Sequence, residues 1–244
     1  MVSADTRSVV VDRQSAQTPV DAASTLEQLL AVRASYRAFT PEPVPELTIR
    51  RILETAQLTA SWCNSQSWQV AITRGAGTER LRDALYGAAS TGATETTDIP
   101  FPREYRGVHR DRRRESGFQL YNALGIERGD RARQQEQALQ NFTFFGAPHI
   151  AIIHTDEALG TYGAVDCGGY VSNFLTAAAA HGVGTVAQAA LAMYPNILRR
   201  ELDLGEDRTI VCGISFGFPD VEHASNSYRT TRAPIGEIVE WIDN

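Results

Sequence analysis

The chain contains no lysine; all 23 of its basic residues are arginine. Any anion it holds must therefore be met by guanidinium forks or backbone N–H groups, and the fork suits phosphate. The same absence excludes the usual phosphate loop GxxxxGK[ST]. No GxGxxG follows a first strand, so a Rossmann dinucleotide fold is not supported. Cysteine is scarce: Cys63, Cys167 and Cys212 are widely spaced, with no CxxC and no Cys/His cluster, which argues against a metal site and suits a reducing cytoplasm. No apolar run is long enough for a bilayer and the N-terminus is polar, so neither a membrane span nor a secretory signal is expected. A formal net charge of −6 makes nucleic acid a poor partner.

What is present fits one α/β or α+β domain with a real core, 43% of the residues being hydrophobic. Residues 1–23 are polar and aperiodic and read as a mobile arm; residues 24–244 read as a single domain. Ser24 and Glu27 have capping-box spacing ahead of the stripe Leu26, Leu29, Leu30 and Val32, which predicts a helix. Pro45 opens a second helical stripe running to Ala60. "WQVAITRG" predicts a strand ending at Gly75. Thr78–Tyr86 reads as helix, and residues 87–130, with "HRDRRRESG" inside, as a partly helical insertion. A helix through "ARQQEQALQNFTFFGAP", a buried strand over 149–155 and a helix of small residues over 164–181 follow. "ILRRELDL" is a short helix and "TIVCGISFGFP" a bent strand. "GISFG" matches a GxSxG elbow on paper, but Phe-Gly-Phe-Pro after Ser215 leaves no room for the helix that a hydrolase elbow needs.

Three polar segments carry possible chemistry. In "RASYRAF", Arg33, Ser35 and Arg37 alternate, and two guanidinium groups flanking a hydroxyl suit a phosphate; arginines meeting a helix C-terminus would look the same. "SWCNSQSWQ" places Ser61, Trp62, Asn64, Gln66 and Trp68 in one loop. Its amides both donate and accept, as a heteroaromatic ring edge requires, while an Asx-turn beside core tryptophans is the plainer alternative. "NSYRTTRAP" carries Arg229 and Arg232.

Taken in order, "RASYRAF", "ASWCNSQSW", "HGVGTVAQAAL" and "RTTRAP" resemble the nitroreductase-like FMN-dependent oxidoreductases, over about residues 24–242. The 87–130 insertion and the tail look most like the nitrobenzoate-type branch. The resemblance implies a nitroreductase-like fold, a mostly antiparallel central sheet surrounded by helices, in an intertwined homodimer with FMN at the interface. It implies that Arg33 and Ser35 meet the FMN phosphate or ribityl chain, that Arg37 sits by the pyrimidine edge, and that Arg229 and Arg232 complete a phosphate clamp. Ser61, Trp62 and Asn64 would come from the partner subunit, Gln66 is a further cofactor-binding candidate, and Gln188, Ala189 and Ala190 would pass along the ring edge. The implied activity is ping-pong hydride transfer from NADH or NADPH to a small aromatic acceptor, a nitroaromatic or quinone, with no catalytic side chain and no metal. Tyr105, Phe118, Tyr121 and Phe144 are candidates for the acceptor pocket. Reductive dehalogenation or flavin fragmentation on the same scaffold, and FMN binding with little turnover, remain alternatives.

Overall fold

The structure, a computed structural model, describes residues 21–243. The expected N-terminal arm lies almost wholly outside them. The chain divides into two units between Val32 and Arg33. The first contributes helix α1 (Ala22–Val32), which begins two residues before Ser24. Ser24 therefore caps nothing; its hydroxyl accepts from the Gln28 amide one turn on.

The second unit is built on a sheet of four strands, β1 (Trp68–Arg74), β2 (His149–Asp156), β3 (Gly184–Gln188) and β4 (Arg208–Gly217), in the order β1-β2-β4-β3. Every neighbouring pair is antiparallel, with Trp68 opposite Thr155 and Gln188 opposite Gly213. β1 and β3 are the two edges. A register shift after Ile153 lets Val211 bulge from β4.

Helices cover both faces, which is why β2 is buried from His149 to Thr155 rather than alternating. Ile150 and Ile152 point to one core with Leu81, Leu85, Leu191 and Leu198. These come from helices α3 (Ala76–Thr91) and α7 (Pro195–Leu202), and from the turn after β3. Ala151 and Ile153 point to the other, with Ile52, Tyr170 and Phe174, from helices α2 (Glu46–Ala56) and α6 (Gly160–Ala180). The helices α4 (Gly107–Ala123) and α5 (Arg131–Leu139) complete the unit.

Several boundaries move. α2 stops at Ala56 rather than Ala60. α3 runs from Ala76 to Thr91, beyond the expected Tyr86, and stops where Gly92 takes a left-handed φ of 70°. α5 ends well before Gly146, because Phe144 and Phe145 both take positive φ and turn the chain into β2. The 87–130 segment is partly helical as expected, through the end of α3 and α4. β3 is short and follows a glycine turn; its strand character comes from pairing with β4.

Candidate functional site

Residues Arg33–Arg37 run extended along the outer edge of β3. Ser35 forms a parallel bridge with Thr185, and the Tyr36 N–H donates to the Thr185 carbonyl at 3.0 Å. The approach needs Gly184, where a Cβ would lie 2.9 Å from the Tyr36 ring. The tail then closes on this segment. Buried Asn226 accepts from the Arg37 N–H at 2.7 Å, and its amide donates to the carbonyls of Ala38 at 3.0 Å and Asp220 at 2.7 Å. The Arg37 guanidinium donates to the Tyr228 hydroxyl at 2.9 Å. Arg229 lies over the Tyr36 ring and donates to the Asn226 and Tyr228 carbonyls. Sequence reading singled out the arginines here and missed Asn226 and Tyr228, which stand in the same quoted stretch.

Arg33, Arg37, Arg229 and Arg232 form no ion pair with a carboxylate among the described residues. An acidic chain thus keeps Arg33, Arg37 and Arg229 unneutralised along one edge, which suits an anionic ligand. Arg232 does not join Arg229. It folds back onto Thr230 and Thr231 and lines a separate cleft against α4.

At the far end of β3, Gln188 is expected along a cofactor edge, but its side chain is buried in protein bonds. Its carbonyl oxygen accepts from the Ser215 hydroxyl, and its amide donates to Asn141 at 2.9 Å and 3.3 Å. Ser215 lies mid-strand and fully buried, so the GISFG stretch is no nucleophile elbow. Gln188 therefore anchors the turn Ala189–Met193 and leaves Ala189 exposed at the surface. Gly213, across from Gln188, gives Leu191 of that turn its seat: a Cβ at 213 would lie 2.4 Å from Leu191.

The Ser61–Gln66 loop leads into β1, on the opposite edge of the sheet. Cys63, Asn64 and Gln66 all have positive φ, of 51°, 55° and 49°. Such backbone persists only where its surroundings hold it. The Trp62 N–H and the Ser65 hydroxyl both bond Asp166 of α6, and the Gln66 N–H bonds the Ser61 hydroxyl at 2.9 Å. Asp166 is a second residue missed from sequence. The Gln66 amide donates weakly to Asn64, and the Gln57 amide donates to Gln66 while its oxygen accepts from buried Trp68. Several of the loop's amides thus serve the loop. Trp62 stays exposed, edge-on to exposed Tyr162 at 4.2 Å.

Beneath the loop, burial raises the Cys167 thiol to about 11, with the Ser67 and Thr155 hydrogen bonds opposing, and raises the Tyr170 phenol to about 12. Neither ionises near neutral pH, so neither supplies a nucleophile or base. No group of three or more His, Cys, Asp or Glu among the described residues is placed to hold a metal. No helix among them is long and apolar enough to cross a membrane.

Of the acceptor-pocket candidates, Tyr105 and Phe118 are exposed and Tyr121 is half-buried, on α4 or just before it. Phe144 is a correction: it is fully buried in the core beneath the Arg82 guanidinium. The run "FTFF" is a core turn.

The profile of the nitroreductase family matches residues 30–218. The chain is 38% identical to nitroreductase NfnB of Mycolicibacterium smegmatis, over 91% of this chain and 94% of that protein. It is 30% identical to a 4-nitrobenzoate reductase of a Nocardioides species, over 91% of each. Its fold superposes on the crystal structure of the FMN-dependent nitroreductase NfnB from Mycobacterium smegmatis in complex with NADPH. The TM-score is 0.86 at 35% identity, covering 90% of this chain and 99% of that one.

Proposed function

The chain belongs to the nitroreductase family, and on that premise we propose that it is an FMN-dependent NAD(P)H oxidoreductase reducing nitroaromatics or quinones as a homodimer. One observation carries the reading. The arginine-bearing segment and the indole-and-amide loop lie on opposite edges of the sheet. Between them stand at least three strand spacings, roughly 14 Å. One planar ring does not reach both within a single chain, so a second copy supplies the loop.

The surfaces support that arrangement. Tyr162, Val165, Gly168 and Ser172 form an exposed stripe on α6, and nothing lies within 4 Å of where a Gly168 Cβ would be. Ile235, Ile238, Trp241 and Ile242 leave the C-terminal segment apolar and uncovered. A second copy packed on α6 covers both kinds of surface.

The donor set fits FMN. Arg33, Ser35 and Arg229 are assigned to its phosphate and ribityl chain, where guanidinium forks and a hydroxyl match phosphate oxygens. Arg37, held by Tyr228, is assigned to the pyrimidine edge, where a fixed cation stabilises negative charge. The Ala189–Ala190 turn presents backbone N–H groups to the ring edge, and the Ser61–Gln66 loop of the second copy covers it. When bound, FMN supplies hydride transfer between NAD(P)H and the acceptor. The protein's own part is to position both reactants, exclude water and fix charge; no side chain acts as acid or base.

The test is the absorbance spectrum of the purified protein, followed by anaerobic NADPH and NADH. Flavin bands that bleach on addition, with turnover of a nitrobenzoate or a quinone, support the reading. A colourless protein that takes up no FMN overturns it.

A further inference from the structure

An acidic chain carries a cleft rich in arginine that the function above does not use. The cleft lies at the start of α4 and is lined by Arg103, Tyr105, Arg106, His109, Arg112 and Arg113, with Glu104 the one acid among the lining residues.

 Its volume is about 700 Å³. Arg106 pairs with Glu104, and Arg112 with Glu237 at 3.0 Å; Arg103 and Arg113 meet no carboxylate among the described residues. Both pairs are exposed and so cheap to exchange for a stronger anion. The Arg113 guanidinium lies over the Tyr105 ring, 5.2 Å from its centroid, and Tyr105 remains exposed.

We propose that this cleft holds the adenosine 2′-phosphate end of NADPH and so selects NADPH over NADH. The inference rests on the function above and deepens it. Three features favour a phosphate at the far end of the donor over a carboxylate on the acceptor. Four arginines exceed what one carboxylate needs, whereas a phosphate monoester carries nearly two charges and three acceptor oxygens. Tyr105 adds an aromatic face on which a purine stacks. The cleft also runs from the tail toward the start of α4, Arg112 lining both it and the Arg232 cleft. α4 is tied to the tail by the Glu115–Thr231 bond, and Arg106 lies about 13 Å further along the helix axis. A reacting acceptor must touch the ring, but the adenosine end of a dinucleotide need not.

The experiment is calorimetric binding of 2′,5′-ADP and of 5′-AMP to the full chain, wild type and Arg106→Ala/Arg113→Ala, with steady-state kinetics for both donors. The expected result is that 2′,5′-ADP binds the wild type at least about tenfold more tightly than 5′-AMP, the scale of a lost charge-assisted contact. The double variant should erase that difference and lower the NADPH/NADH ratio of kcat/KM by a similar factor. Equal binding of the two nucleotides overturns the proposal, as does an unchanged donor ratio in the variant. A rise in KM for 4-nitrobenzoate alone also overturns it and assigns the cleft to a carboxylated acceptor. Binding needs no turnover, so failure of the flavin reading and failure of this one are distinguishable.

Discussion

Arg229 stacks on Tyr36, its guanidinium carbon 5.8 Å from the ring centroid. The pair ties the C-terminal segment to the strand-like segment beside β3, so two stretches nearly two hundred residues apart form one surface. Replacing Arg229 with Ala removes a cation assigned to the FMN phosphate. FMN should then dissociate about 10- to 100-fold more readily, the range of a lost charge-assisted bond. Fluorescence titration of the apoprotein with FMN checks this, and an unchanged Kd sinks the assignment.

Ser215→Ala leaves the Gln188 carbonyl oxygen buried without its hydroxyl donor. The expected loss of stability is about 1–3 kcal/mol, the cost of an unsatisfied buried acceptor. Urea unfolding measures it. Because Gln188 anchors the Ala189–Met193 turn, the flavin potential should shift as well; a variant altered in stability alone would confine Ser215 to a structural role.

Gly168→Leu tests the second copy. The position faces open space in one chain, so the monomer should fold normally, while a larger side chain blocks close approach on the α6 stripe. Sedimentation should show monomer, and FMN should be lost with the dimer. A dimeric, yellow variant would move the interface elsewhere.

Two buried histidines make stability depend on pH. Burial lowers the pKa of His149, aided by the Arg74 charge and opposed by the Thr73 carbonyl; burial and the Arg208 charge lower that of His154. The His149 Nε2 accepts the Val44 N–H at 3.0 Å, so protonation there breaks that bond. The unfolded chain binds these protons more readily, so stability rises with pH across this range. The contribution is present above the ordinary value of 6.5 and is lost as pH falls through the depressed folded values. Unfolding at pH 8 and pH 5 should show the lower stability at pH 5. His149→Gln should flatten the difference; an unchanged slope would remove His149 from the account.

Much of the framework was legible in the sequence. β1, β2 and β4 carry dense β-branched runs, and α6 was bounded closely by Gly182. β3 was hidden because five residues behind a glycine turn hold too little pattern to register, and only the ladder with β4 makes them a strand. The motif arginines were legible as types, and the structure joins Arg37 to Arg229 while sending Arg232 to α4. The partners that hold them, Asn226 and Tyr228, are polar residues in a loop, with no periodicity to mark them. Phe144 misled for the converse reason: an aromatic run beside a glycine looks like a pocket wall, and its positive φ turns it inward. The amides of "SWCNSQSWQ" looked free for a ring, but Gln57, at the end of α2, takes up Gln66 and Trp68, a contact that spacing alone does not reveal.

The absent side chain at position 213 sets a limit on how this enzyme can diversify. Leu191 occupies the room that any larger residue there would need, and the turn above Leu191 is the one assigned to the ring edge. The depth of the site is thus fixed from below, by the sheet. Libraries seeking new acceptors gain little from randomising β4. Variation in α4 and in the tail after Asn226 reshapes the walls without disturbing that foundation.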